Sequence, residues 1–241
     1  MTSLTGNGAS SAPLFRWSAV ASFFGLRGSE FLDTPHSRRR RKGRGLLAIL
    51  CKDVSFSDAA GRRLAWPFAR ILAHRAAVTF TWQKNGMNGQ QRDLPRNGDA
   101  ALCPVNLLFD IVEHFFRVTP GGDPCLPLAV NRYGRRITTS VMDAYVKRTA
   151  RVYHPTITAN ELRKYTVHSF RIGALERLLN QQHMKVALAV EFLRWHSEAY
   201  ILYIRTASYN FAKLSPSDEA SIQSDFVADA SYVSDDDSDD E

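Results

Sequence analysis

Two Asn-Gly pairs, Asn85-Gly86 and Asn88-Gly89, separate an alternating apolar–polar segment at 78–83 from a second short run at 90–94. Asn and Gly both tolerate positive φ, so the pairs predict a tight reversal between antiparallel strands. Most of the remaining chain has helical rather than alternating periodicity. Segment 14–32 reads as a helix with Pro13 at its first turn and an apolar stripe of Phe15, Val20, Phe23, Phe24, Leu26 and Phe31. Pro104 opens another through Phe115, burying Leu107, Leu108, Ile111, Val112 and Phe115. From Thr139 almost to Leu214 the pattern stays helical, over 141–152, 167–180, 185–195 and 198–207. A short strand is expected at 46–51 and a turn at 119–124, where Pro and Gly cluster. Several helices around one small antiparallel sheet or hairpin define an α+β, mostly α, domain.

The chain's 241 residues suffice for one sizeable core. Its charge is uneven. The formal net charge is +7, yet residues 225–241 hold eight acids and no Lys or Arg. Residues 1–224 therefore carry 31 Lys and Arg against 16 Asp and Glu, a net of +15. So basic a body favours a polyanionic partner, nucleic acid being the commonest; a merely soluble basic protein is the plainer alternative. No apolar run is long enough to span a bilayer, and no signal-peptide layout is present, so the expectation is a soluble intracellular protein with no membrane partner. Cys51, Cys103 and Cys125 form no Cys-x-x-Cys pair and are expected as buried free thiols. Residues 1–12 and 214–241 have the polar, low-complexity composition of disordered arms, leaving 13–213 as the folded unit.

The chemistry concentrates in two late segments. In Thr166-Val167-His168-Ser169-Phe170-Arg171-Ile172-Gly173-Ala174, His168 and Arg171 stand three apart on a predicted helix and share a face. Downstream runs Leu193-Arg194-Trp195-His196-Ser197-Glu198-Ala199-Tyr200-Ile201-Leu202-Tyr203-Ile204-Arg205. Together these resemble the active-site signature of the tyrosine recombinase (phage integrase) family: His-x-x-Arg, then a Gly-(His/Trp) step, then a nucleophilic Tyr. Tyr203 follows His168 by 35 residues and Arg194 by nine, as in that family. Arg27-Gly28-Ser29-Glu30 resembles its first box, an Arg-x-x-Glu late in a helix, and Lys84 falls at the hairpin turn where the family carries its Lys. The wording of the late segments is most similar to recombinases of DIRS-type and Crypton-type mobile elements.

The resemblance implies a tyrosine recombinase catalytic domain acting on double-stranded DNA, without a small-molecule substrate or a cofactor. Arg27 and Arg171 would neutralise the non-bridging oxygens bidentately, with His168 adding a hydrogen bond. Tyr203 would attack the phosphorus to give a 3′-phosphotyrosine and a free 5′-hydroxyl, and Lys84 would protonate the leaving oxygen. With cations supplied by side chains, no metal is called for. Glu30 and Trp195 would support the site. Self-association on DNA and a nuclear location are further implications.

Departures from the family pattern are specific. Arg194 stands where His or Trp is usual, with Trp195 beside it, and Leu193 replaces a small Gly, which is expected to crowd that turn. The run Arg38, Arg39, Arg40, Arg41, Lys42 and Arg44 looks like an insertion, read either as a phosphate-contacting loop, as a nuclear localisation signal or as a solvated loop without a role. Only a dozen polar residues precede the first helix, so the chain is expected to lack the family's N-terminal clamp domain. Each residue also has a plainer reading: an Arg27–Glu30 surface pair, a solvated Lys84, a satisfied His168, Arg171 in a salt bridge, Tyr200 and Tyr203 as core aromatics. A catalytically inactive, mobile-element-derived DNA-binding remnant is the competing function.

Overall fold

The computed structural model describes residues 8–34, 48–66, 69–81, 83, 88–195 and 201. The predicted hairpin is present: strand β3 (Arg75–Phe80) pairs antiparallel with β4 (Gln90–Pro95), in a register running from Phe80 opposite Gln90 to Arg75 opposite Pro95. On its other edge β3 pairs with β1 (Val54–Ser57), which pairs with the two-residue β2 (Arg63–Leu64). The antiparallel sheet thus has the order β2-β1-β3-β4. Asp58 closes the β1–β2 turn by accepting the N–H groups of Ala60 and Arg62, each at 2.9 Å.

The expected strand at 46–51 is corrected in part, residues 46 and 47 lying outside the described residues. Leu50 is extended and makes an isolated antiparallel bridge with Pro127, with Ile49 O accepting the Leu128 N–H at 3.0 Å, but no ladder develops because Cys51–Asp53 is a 3₁₀ turn before β1. The buried Asp53 carboxylate is the cause: it accepts the Leu50 N–H at 2.9 Å and the Thr81 hydroxyl at 2.8 Å, winding the backbone just ahead of Val54.

The first helix, α1, spans Gly8–Phe24 and so reaches a turn ahead of Pro13, into residues that composition assigned to a disordered arm. It also stops short of Phe31. Gly25 adopts φ +58, and a separate one-turn helix α2 (Gly28–Phe31) follows. The single expected helix is therefore two, broken where a positive φ is available. After α3 (Ala69–Leu72) and the hairpin comes α4 (Pro104–Val118), whose buried residues include all five predicted from periodicity. Trp17 stacks on Phe31 and Trp66 on Phe109, tying α1 to α2 and the β2 end of the sheet to α4.

The last third is helical as expected. It comprises α5 (Thr139–Tyr153), α6 (Ala159–Lys164), α7 (Ser169–Glu176) leading into a π turn at Arg177–Gln181, and α8 (Val186–Phe192). A Thr158/Glu161 capping box starts α6. Two buried clusters result. The larger joins α1, α2, the sheet, α4 and α5; the smaller gathers Ala174, Leu175, Leu178, Ala189, Leu193 and Trp195. Cys51 and Cys103 are buried thiols as expected, whereas Cys125 is exposed on the turn before Leu128. Among the described residues no helix is long and apolar enough to cross a membrane. The expected helix at 198–207, save Ile201, and the acidic tail lie outside the described residues.

Candidate active site

The site is built around the end of α1. After Gly25 the chain turns extended at Arg27 (φ −80, ψ 146), and Glu30, three residues on, folds back. Its carboxylate accepts the Arg27 N–H at 2.7 Å and the Arg27 guanidinium at 3.0 Å. The Arg-x-x-Glu spacing is thus what lets one short helix hold both partners. The second Arg27 donor reaches the Arg194 carbonyl at 2.6 Å.

Arg194 arrives from the end of α8 through a left-handed turn. The Arg194 N–H bonds Glu191 O and the Trp195 N–H bonds Val190 O, both at 3.0 Å, the paired closure of a helix ending in a positive-φ residue. That position usually takes Gly; here it is Arg194, at φ +57. For a side-chain-bearing residue this costs about 1–2 kcal/mol. The compensation is visible: the fully buried guanidinium bonds Glu30 at 2.8 Å and the carbonyls of Phe24 and Gly25 at 3.4 and 3.3 Å. Its flat face lies 3.7 Å from the Phe80 ring centroid, at the end of β3. Burial pushes its pKa down to about 10, partly opposed by Glu30, so it remains a cation at neutral pH.

From a third direction come His168 and Arg171. Val167 is pinned by the Asp143 carboxylate of α5, which accepts its N–H at 2.7 Å, and α7 begins directly after His168. Arg171, 1% exposed, donates to the carbonyls of Gly25 and Leu193 and lies 4.8 Å over the Trp195 ring. Gly25 O therefore receives guanidinium groups from both Arg171 and Arg194. Arg177 adds a further lock, donating to Ser22 O and Phe23 O at 3.2 and 3.0 Å. The C-terminal carbonyls of α1 are held by three arginines drawn from α7, the π turn and the end of α8.

These elements enclose a cleft of about 360 Å³ lined by Arg27, Gly28, Thr139, Asp143, Thr166, Val167, His168, Arg171 and Trp195. The structure thus brings together Arg27, His168, Arg171 and Trp195, all selected from sequence. Arg194 and Glu30 do not figure among the described lining residues; they form the buried pair that carries Arg27. Partial desolvation of His168, a residue still exposed at the cleft, together with the Arg171 and Arg27 charges, holds its pKa below the ordinary histidine value, favouring the neutral imidazole. Lys84, Tyr203, Tyr200 and the run Arg38, Arg39, Arg40, Arg41, Lys42 and Arg44 lie outside the described residues. A larger groove, about 640 Å³, runs between α1, α5 and α7; Arg177 lines it, but its wall is mostly aromatic and aliphatic and it holds none of Arg27, Glu30, His168, Arg171, Arg194 and Trp195.

Sequence reasoning missed four contributors. Asp143 sets the entry to α7, Phe80 supports Arg194, and Thr139 lines the cleft at the start of α5. Arg92 of β4 donates to Glu191 O at 2.8 Å and Phe192 O at 3.2 Å, clamping the end of α8. None sits in a motif, and no spacing in the sequence singled them out. No protein-family model, curated protein or solved structure matches this chain.

Proposed function

We propose that the chain is a tyrosine recombinase-type catalytic domain that cleaves and rejoins DNA strands through a covalent phosphotyrosine. The observation that carries this reading is the convergence of Arg27, His168, Arg171 and Trp195, from segments up to 168 residues apart, on one cleft. A phosphodiester in that cleft meets two guanidinium groups able to offset charge on the non-bridging oxygens. The neutral His168 ring supplies one hydrogen-bond donor and one lone pair, so it can bond a phosphoryl oxygen or receive the phenol proton. Tyr203 Oη forms the bond to phosphorus, the bond to the 5′ oxygen breaks, and the Lys84 ammonium delivers a proton to that oxygen. Attack by a 5′-hydroxyl on the phosphotyrosine reverses the sequence, so rejoining needs no external energy source. Side-chain cations carry the charge stabilisation without a metal, and the element works as a multimer on paired duplex sites in the nucleus.

One observation favours a second reading, a non-catalytic DNA-binding remnant. Arg171 and Arg194 both direct guanidinium donors at backbone carbonyls, a use that serves the fold as well as a phosphate. Covalent trapping separates the two. Purified full chain is incubated with supercoiled or nicked DNA in EDTA, beside Tyr203→Phe and Tyr200→Phe. A denaturation-resistant adduct lost only in Tyr203→Phe is the expected result. Salt-sensitive DNA binding without any adduct would transfer the conclusion to the remnant.

A further inference from the structure

The turn ahead of α5 reads Asn131-Arg132-Tyr133-Gly134-Arg135-Arg136, three cations and an aromatic within six residues. Its backbone is closed on itself: Asn131 N–H bonds Arg135 O at 2.8 Å, and Gly134 N–H bonds Asn131 O at 3.0 Å. The Asn131 side-chain oxygen accepts the N–H groups of Tyr133 and Arg135 at 2.9 and 3.1 Å. Gly134 sits at φ +72 with its back to Val118 O, 2.6 Å from where a Cβ would stand, so the turn is seated on the end of α4. What this fixed frame presents is unusual for a surface turn. Tyr133 is 66% exposed, and the Arg132 guanidinium lies 4.6 Å over its ring, while Arg135 is exposed beside them.

The turn is tied to the cleft on two sides. Arg136 pairs with Asp33 at 3.1 Å, and the Asp33 N–H bonds Ile137 O, joining it to the segment that follows Arg27 and α2. In the other direction, Thr139 of the cleft wall is three residues beyond Arg136. Four residues of chain from Arg135 span at most about 14 Å. Successive phosphates of one strand advance 3.4 Å along the duplex axis, so the turn falls within roughly four nucleotides of a phosphate in the cleft.

We infer that this turn is a backbone-gripping element, with Arg132 and Arg135 contacting phosphates of the duplex that flanks the scissile one. Tyr133 acts through Arg132: its ring is the platform that fixes the guanidinium, so that little side-chain freedom is lost on binding. The inference rests on the DNA reading above and adds to it the surface that anchors the duplex.

Fluorescence anisotropy of the full chain with a labelled duplex, across a series of salt concentrations, tests it. Arg132→Ala and Arg135→Ala are each expected to weaken binding and reduce the slope of log affinity against log salt by about 0.9. Tyr133→Ala should weaken binding in the wild-type background and have no effect in Arg132→Ala. Arg62→Ala, which removes one charge from the β1–β2 turn instead, should leave the slope unchanged. All four side chains are exposed, so an unchanged melting temperature certifies the fold. Wild-type binding with normal slopes in the Arg132 and Arg135 variants, or an equal loss in Arg62→Ala, would overturn the inference and leave the DNA reading standing. Failure of the wild-type chain to bind duplex DNA would overturn both.

Discussion

Glu30→Gln removes one charge from the centre of the site while keeping its shape, and the structure specifies the consequence. The carboxylate, 3% exposed, meets Arg27 N–H at 2.7 Å, Arg27 Nη1 at 3.0 Å and Arg194 Nη2 at 2.8 Å. Arg194 has no exposed side-chain surface through which water could replace the lost partner. Breaking a buried ion pair by removing one member costs about 3–5 kcal/mol, chiefly from the charge left behind. Gln retains one neutral acceptor oxygen, which in the place of Oε2 still meets the Arg27 N–H and Arg194 Nη2, so the lower end, about 3 kcal/mol, is expected. At roughly 2–4 °C per kcal/mol for a chain of this size, the melting temperature should fall by about 6–12 °C.

Urea denaturation of wild type, Glu30→Gln, Arg194→Met and the double variant measures the pair directly. Once Arg194 is gone, no buried cation is stranded, so Glu30→Gln should cost about 1–3 kcal/mol less in that background. The reasoning is refuted if Glu30→Gln costs under about 1 kcal/mol and the two changes add. In that case Arg27 and Arg194 would be positioned by backbone contacts alone.

Gly25→Ala should destabilise by about 2–5 kcal/mol in the same assay: about 1–2 for a side chain at φ +58 and about 1–3 for overlap with Leu193 Cδ2, 2.2 Å from the new methyl. Leu193→Ala in that background should recover the overlap component and not the backbone one. His114 and His168 both have pKa values lowered in the fold, by burial first, so the unfolded chain takes up protons near pH 6.5 where the native chain does not. Stability should therefore fall as pH drops below about 7, measured as the urea midpoint, and the slope should lessen in His114→Gln and in His168→Gln. Inorganic phosphate should raise the His168 titration in NMR and leave that of His114 unmoved. Arg92→Ala should cost about 1 kcal/mol and speed hydrogen exchange at the Arg194 amide, since it releases Glu191 O, the acceptor of that N–H.

The parts of this chain that were legible from sequence are those fixed by neighbours along it. The hairpin follows from Asn-Gly chemistry, α4 from Pro104 and a clean apolar stripe, and the meeting of His168 with Arg171 from helical spacing. The strand expected at 46–51 survives only as an extended Leu50 bridged to Pro127, and its early end has a side-chain cause, since Asp53 captures the Leu50 N–H and the backbone winds over Cys51–Asp53. The exposed Cys125 shows that a free thiol's burial is set by the turn that carries it.

The break between α1 and α2 marks where local reading ends. Leu193 looked like a crowding replacement for glycine, yet its backbone is ordinary (φ −81, ψ −2) and the left-handed residue of the turn is Arg194. In the fold, Leu193 is fully buried against Gly25, filling the volume that a Cβ at position 25 would need. Glycine and leucine are thus complementary across 168 residues of sequence. With Leu193 seated there, Arg194 enters the left-handed turn that carries its guanidinium to Phe24 O, Gly25 O and Glu30. The same carbonyls that end α1 are what orient Arg171 and Arg194, so the helix break and the cleft are one structural event. A periodicity argument, which treats each segment against an unspecified core, has no means of seeing either half.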